Sequence, residues 1–221
     1  MTAYMLIEIV RDPLLLQRVR DELVSAVAPG TRSPAQLDIN IPTLCALPLF
    51  VSIYKECLRL RASIPMTRRL RNNIEIDGYT LRAGNFILAP SWLSHMDEGV
   101  WATPQHPVHS FWAERFLQKG SSSSPDENAK LSAASDTIKA GDFFPYGGGS
   151  VICPGRFFAK QEILAAVAMM VMSFDLEYVK NVHLDGTASD RGPGVENCES
   201  RGIISLDRDV VVRMRKRATV V

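Results

Sequence analysis

Apolar residues recur at helical spacing through the first third of the chain and at strand spacing after it. Residues 1–10 are apolar on nearly every side with only Glu8 interrupting, and they read as a buried helix. Asp12-Pro13 supplies a cap and a first-turn proline for a second helix carrying Leu16, Val19, Leu23, Val24 and Val27, which Pro29-Gly30 stops. After a polar, proline-containing connector, Leu47 to Leu60 again repeats at helical spacing. The pattern then shortens. Asn73–Ile76 and Tyr79–Leu81 flank Asp77-Gly78, a hairpin signal, and Ala83-Gly84 turns the chain into a third strand, Phe86 to Ala89. Trp92 to Glu98 reads as a short helix. A long helix is expected from about Pro154 to Phe174, then a strand at Leu176–Val179, a loop from Asp185 to Gly202, and a closing hairpin pairing Ile203–Leu206 with Val210–Met214 around Asp207-Arg208-Asp209. These elements predict a mainly α protein with small β-hairpins, an α+β chain. Residues 118–141 are rich in Ser, Asp, Ala and Lys and read as a flexible insertion.

Composition changes this picture little. With 46% hydrophobic and 22% charged residues over 221 positions, the chain is long enough for one domain with a real core. A net charge of +1 gives no electrostatic case for nucleic acid. The basic run from Arg213 to Arg217 fits a solvated strand face better than a targeting signal. Cys45, Cys57, Cys153 and Cys198 show neither zinc spacing nor a disulfide framework, so no disulfide partner is expected and a reducing compartment is the simpler assumption. No signal peptide or membrane anchor is visible; Leu164 to Phe174 is too short to span a bilayer.

One stretch organises the chemistry. Phe143 to Phe158 runs from two aromatics through Gly147, Gly148 and Gly149 to Cys153, and a helix begins just after. Glycines let a backbone approach a large flat object and adopt positive φ. Pro154 suits a first helical position, and a helix N-terminus favours a negative sulfur. Three readings compete: a buried cysteine beside a turn, a catalytic nucleophile, or a thiolate held out to bind a metal. None of the four histidines lies near Cys153 in sequence, which weakens the second. A second constellation is Glu56 and Arg59, which share a helix face at i, i+3 in apolar surroundings. A buried pair needs further donors to offset desolvation, so a third partner is expected. Phe111-Trp112-Ala113-Glu114-Arg115-Phe116 offers one, and Thr67-Arg68-Arg69 follows the helix.

Taken in order, these motifs resemble those of the cytochrome P-450 family. Tyr146, Gly149, Cys153 and Gly155 fall on its heme-binding signature, with Tyr146 in place of the usual Phe and Val151 in place of the usual Arg or His that helps hold a heme propionate. Glu-x-x-Arg falls on Glu56 and Arg59, and Ala113-Glu114-Arg115-Phe116 on Pro-Glu-Arg-Phe with alanine for proline. Phe111 to Leu117 looks like fungal members that tailor secondary metabolites.

The resemblance implies the C-terminal half of the P-450 fold, with residues 1–221 a single truncated heme-thiolate domain. It implies heme b (iron-protoporphyrin IX) with Cys153 as its metal ligand and Tyr146, Gly149, Gly155 and Arg68 around the cofactor, Arg69 being the alternate to Arg68. Glu56, Arg59 and Arg115 become a structural ion-pair triad, and His95, in His95-Met96-Asp97, a hydrogen-bonding residue rather than a ligand. The implied activity is monooxygenation of a small organic substrate, with electrons from NADPH through NADPH-cytochrome P-450 reductase. Full-length relatives are expected on the endoplasmic reticulum membrane, facing the cytoplasm. The family's acid–alcohol pair for proton delivery would fall upstream of Met1, and Thr2 is too far along to serve, so no catalytic residue is assigned in this chain. The alternatives are a truncated, inactive remnant or a redox-neutral heme enzyme of the same family.

Overall fold

The Asp12 carboxylate accepts hydrogen bonds from the amides of Leu14 and Leu15, and this cap divides helix α1 (Thr2–Arg11) from α2 (Pro13–Leu23). A computed structural model of the chain describes residues 1–31, 33–117, 141–192, 202–203 and 206–219. The insertion read at 118–141 lies outside these, save for Gly141.

Helices α1 and α2 pack on α4 (Pro48–Arg61) and on the long helix α7 (Arg156–Ser173), with the short α3 (Ile41–Leu44) beside them. Met5, Ile9, Leu16, Val19, Phe50, Ile53, Leu164, Val167 and Val171 form the centre of the core. Helix α4 has no side chain of its own to cap its start. Glu22 of α2 does so instead: its carboxylate accepts from the amides of Leu49 (2.9 Å) and Phe50 (2.8 Å). From Ser52 onward α4 is buried on every side, charged residues included.

The sheets are small and antiparallel. Strand β1 (Ala62–Ser63) leaves α4 directly, β2 (Pro65–Arg69) pairs with β5 (Phe86–Pro90), and β3 (Ile74–Ile76) pairs with β4 (Tyr79–Leu81) across Asp77-Gly78. Both turn residues have positive φ, 50° and 80°, which is the geometry the sequence signal demands. Short helices α5 (Ser91–His95) and α6 (Glu98–Trp101) occupy the stretch read as one short helix. Strand β6 (Phe174–His183) runs out of α7 and is flanked by β7 (Ala188–Ser189) and β9 (Arg208–Lys216).

The closing hairpin is not seen among the described residues, outside which 204 and 205 lie. Strand β8 (Gly202–Ile203) pairs with β1, and β9 pairs with β6 in a ladder from Phe174↔Lys216 to His183↔Arg208. A tight hairpin turn needs positive φ, and Asp207, Arg208 and Asp209 supply none. The long ladder also meets more backbone groups than a four-residue hairpin would. The basic run lies on β9, where Arg213 and Arg215 meet Glu177 and Asp175 of β6.

Candidate functional site

The end of α4 carries the Glu56–Arg59 pair, and the fold brings Arg115 to it across 59 residues of chain. Arg59 donates from Nε (2.8 Å) and Nη2 (2.9 Å) to the two Glu56 carboxylate oxygens, and Arg115 Nε donates to Oε1 at 2.9 Å. The remaining donors are met by carbonyls. Arg59 Nη1 reaches His95 O at 2.8 Å, while Arg115 reaches Trp101 O and Ser110 O. Each guanidinium also lies 5.4 Å from an indole, Arg59 over Trp101 and Arg115 over Trp112. One carboxylate thus faces two buried cations whose donors end on carbonyls, the condition under which buried charge is tolerable. Ala113, standing where the resemblance puts proline, is braced from α4: Ser52 Oγ donates to its carbonyl and accepts from the Phe116 amide.

The network extends toward the glycine loop. The His95 side chain is fully buried, and its Nε2 accepts the Phe144 amide at 3.1 Å. Nδ1 then keeps the ring proton and faces the carbonyls of Arg59 and Ala62 without a bond of ordinary geometry. Burial first, and then the Arg59 charge, push the imidazole pKa down to about 4, so the ring is neutral at pH 7. From Phe144 the loop is tied by Gly147 N donating to Phe144 O (3.0 Å) and Cys153 N donating to Tyr146 O (3.1 Å). Gly147 and Gly149 have φ of 77° and 66°, a turn that residues with a Cβ resist. Against it packs Met66, whose sulfur would lie 3.6 Å from a Cβ at Gly148.

Cys153 is exposed and, like Cys57, a free thiol; Cys198 lies outside the described residues. The long helix begins slightly later than its proline suggests: Gly155 is the cap and Pro154 sits in the turn before it. The Cys153 carbonyl accepts from the Arg156 guanidinium at 3.1 Å. Gly155 lies beside the sulfur: a Cβ there would sit 3.8 Å from it, an ordinary contact distance. The Tyr146 hydroxyl points inward to a short hydrogen bond with Tyr54 of α4.

Between the loop and the β2–β5 sheet lies a cavity of about 370 Å³, lined by Met66, Arg68, Ile87, Ala89, Gly148 and Gly149 among others. Strand alternation puts the two arginines on opposite faces. Arg68 shares the cavity face with Met66, Ile87 and Ala89, whereas Arg69 pairs with Phe86 on the other face. The Arg68 guanidinium donates to the carbonyls of Thr67 and Gly148 and meets no carboxylate among the described residues. Val151 stands 62% exposed and brings no charge.

Sequence reasoning assigned no partner to Tyr54 and did not see β2 or Met66. A tyrosine in the place of a phenylalanine was the available signal for Tyr54, because a buried hydroxyl needs a partner. Nothing local marked Met66.

This donor set has a definite chemistry. The turn that carries the exposed Cys153 thiol also lends Gly148 and Gly149 to the cavity, whose one charged lining group, Arg68, meets no carboxylate among the described residues. No cluster of three His, Cys, Asp or Glu side chains suited to a bare metal ion occurs among the described residues. The arrangement suits a metal that arrives in a flat organic ligand bearing carboxylates, the class of thiolate-ligated cofactor proteins. Comparison with known proteins agrees. The family model described as cytochrome P450 matches residues 2–190. The chain is 39% identical over 220 residues to the cytochrome P450 monooxygenase calL of Penicillium decumbens, covering 98% of this chain and 39% of that protein. It is 34% identical to efuG of Hormonema carpetanum, covering 79% of this chain and 34% of the relative, and 31% identical to fsoE of Humicola fuscoatra, covering 98% and 39%. The chain belongs to the cytochrome P450 family, and it spans about two fifths or less of the length of these relatives. No described helix is long and apolar enough to cross a membrane.

Proposed function

We propose that these residues form the thiolate side of a heme pocket, and that the protein is a monooxygenase acting on a small organic molecule of secondary metabolism. The observation that carries this reading is the exposed Cys153 thiol, presented by a glycine turn that also receives Arg68. Cys153 is the sole protein ligand to the iron, and its position just before α7 favours the anionic sulfur. Arg68 takes a heme propionate, exchanging carbonyl partners for a carboxylate, a stronger charge-assisted bond. Gly149 gives the turn its positive φ, Gly155 lies beside the sulfur, and Tyr146 anchors the loop to α4. Glu56, Arg59 and Arg115 hold the loop's support in place and touch no reacting atom.

Bound at the thiolate, heme b supplies the redox chemistry that activates O2, with electrons from NADPH through NADPH-cytochrome P-450 reductase. The fungal monooxygenases among the relatives support this activity, and family resemblance supports a place for the whole protein on the endoplasmic reticulum membrane, facing the cytoplasm.

The test is to load the chain with hemin, reduce it and add carbon monoxide. A thiolate-type Soret band is expected, lost in Cys153→Ser while the far-UV circular dichroism is kept. Arg68→Ala should release heme at least about tenfold faster, the equivalent of one charge-assisted bond, whereas Arg69→Ala should not. An unaltered carbonyl spectrum in Cys153→Ser would overturn the assignment.

A further inference from the structure

We propose that His95 is a positioning residue for the iron-binding loop: the lone pair of its Nε2 holds the Phe144 amide, and through it the turn that presents Cys153. The proposal rests on the heme-thiolate reading of that loop. The route is a continuous series of hydrogen bonds. Arg59, fixed on Glu56, donates to the His95 carbonyl; the His95 ring receives Phe144 N; Phe144 O receives Gly147 N; and Tyr146 O receives Cys153 N. His95 is the only side chain in this route between the ion-pair network and the loop backbone. Its ring also touches Phe143 and Phe144, with centroids 5.2 and 5.6 Å away, so packing alone is the competing account of how the loop is held.

The two accounts differ in what protonation does. A neutral imidazole accepts at Nε2; an imidazolium presents a second N–H to the Phe144 N–H, and the bond is lost while the ring stays in place. The charges around the ring disfavour the imidazolium. Arg59 is the neighbouring cation; Glu56 is shared between Arg59 and Arg115. Asp97 follows His95 by two residues and Asp142 precedes Phe144 by two, so the carboxylates on the adjoining turns belong to the same balance. The loop is therefore held firmly at neutral pH and let go in acid.

The experiment measures amide exchange on the full chain without heme, so its outcome is independent of whether Cys153 binds iron; the carbonyl spectrum decides that separately. His95→Gln keeps an acceptor near the Nε2 position and does not titrate, and His95→Phe keeps an aromatic ring without an acceptor. At pH 7, Phe144 exchange relative to its intrinsic rate should match wild type in the Gln variant and be at least tenfold faster in the Phe variant, with Val167 and Val171 of α7 still protected. Between pH 6 and 4, wild-type Phe144 should lose at least tenfold protection while the Gln variant keeps it. Wild-type protection of Phe144 in the Phe variant, or the same pH profile in wild type and Gln, would overturn the proposal. Should the Phe variant not fold, the comparison of wild type with Gln across pH decides alone.

Discussion

Glu56 is the residue on which most converges. Its carboxylate accepts from Arg59, Arg115 and the Trp112 amide, and it is fully buried. Replacing it with alanine leaves two guanidiniums facing each other without a counter-charge. Breaking a buried pair in this way costs about 3–5 kcal/mol, so Glu56→Ala is expected to give insoluble chain or a urea midpoint lowered by a corresponding amount. Glu56→Gln should be little better, because it restores the shape but not the charge. His95 adds a pH term of opposite character. Unfolded, the imidazole titrates near 6.5; folded, near 4. The unfolded chain therefore binds the extra proton between these values. Stability is full above about pH 6.5 and falls as pH drops toward 4, by roughly 3 kcal/mol in all. Urea melts across that window should show the slope in wild type and lose most of it in His95→Gln.

Helix α4 shows how an element can be held at both ends by residues that its own sequence does not contain. At its C-terminal end Glu56 and Arg59 are satisfied by Arg115 and by the α5 carbonyl of His95, and Arg61 meets Glu8 of α1. At its start, the Glu22 carboxylate replaces the missing capping side chain, and as an anion it also complements the positive end of the helix. Caps of this kind are worth about 1–2 kcal/mol. Glu22→Ala should lower the melting temperature by several degrees, and Glu22→Gln by about half as much, because one of the two acceptor oxygens survives. The loss should grow smaller in high salt, since Glu22 is only partly buried. A melting temperature unchanged in Glu22→Ala would mean that the amides of Leu49 and Phe50 find water without cost.

Across the whole molecule, the parts legible in the sequence are those in which the signal and its cause are neighbours. Asp77-Gly78 announces its own turn, Asp12-Pro13 its own cap, and Glu56 and Arg59 share a helix face by spacing alone. Arg115, distant from them in the chain, became a partner only through resemblance to a family, and the geometry that joins them is set by folding. The errors have the same origin. Strand β2 begins with proline and carries Thr67, Arg68 and Arg69 in a row, so nothing alternates in its composition; its pairing with β5 makes it a strand. The closing hairpin was read from proximity in sequence, while β6 offered β9 a longer ladder. At the site, Cys153 and its glycines were legible because one short loop contains them. That Arg68 faces the cavity and Arg69 does not could be read only once the pairing of the sheet was known.

The Tyr54–Tyr146 contact carries a consequence for how this sequence can change. Tyr54 is buried and Tyr146 half-buried, and burial pushes both their pKa values up, so the pair is two neutral groups sharing one bond. Phenylalanine at either position strands the other hydroxyl, at about 1–3 kcal/mol, whereas phenylalanine at both removes donor and acceptor together and is nearly neutral. The two positions are therefore epistatic, and a lineage passing between the Tyr–Tyr and Phe–Phe forms crosses a less stable intermediate. A double-mutant cycle of Tyr54→Phe and Tyr146→Phe should show the combined loss to be smaller than either single loss, with a coupling energy above about 1 kcal/mol.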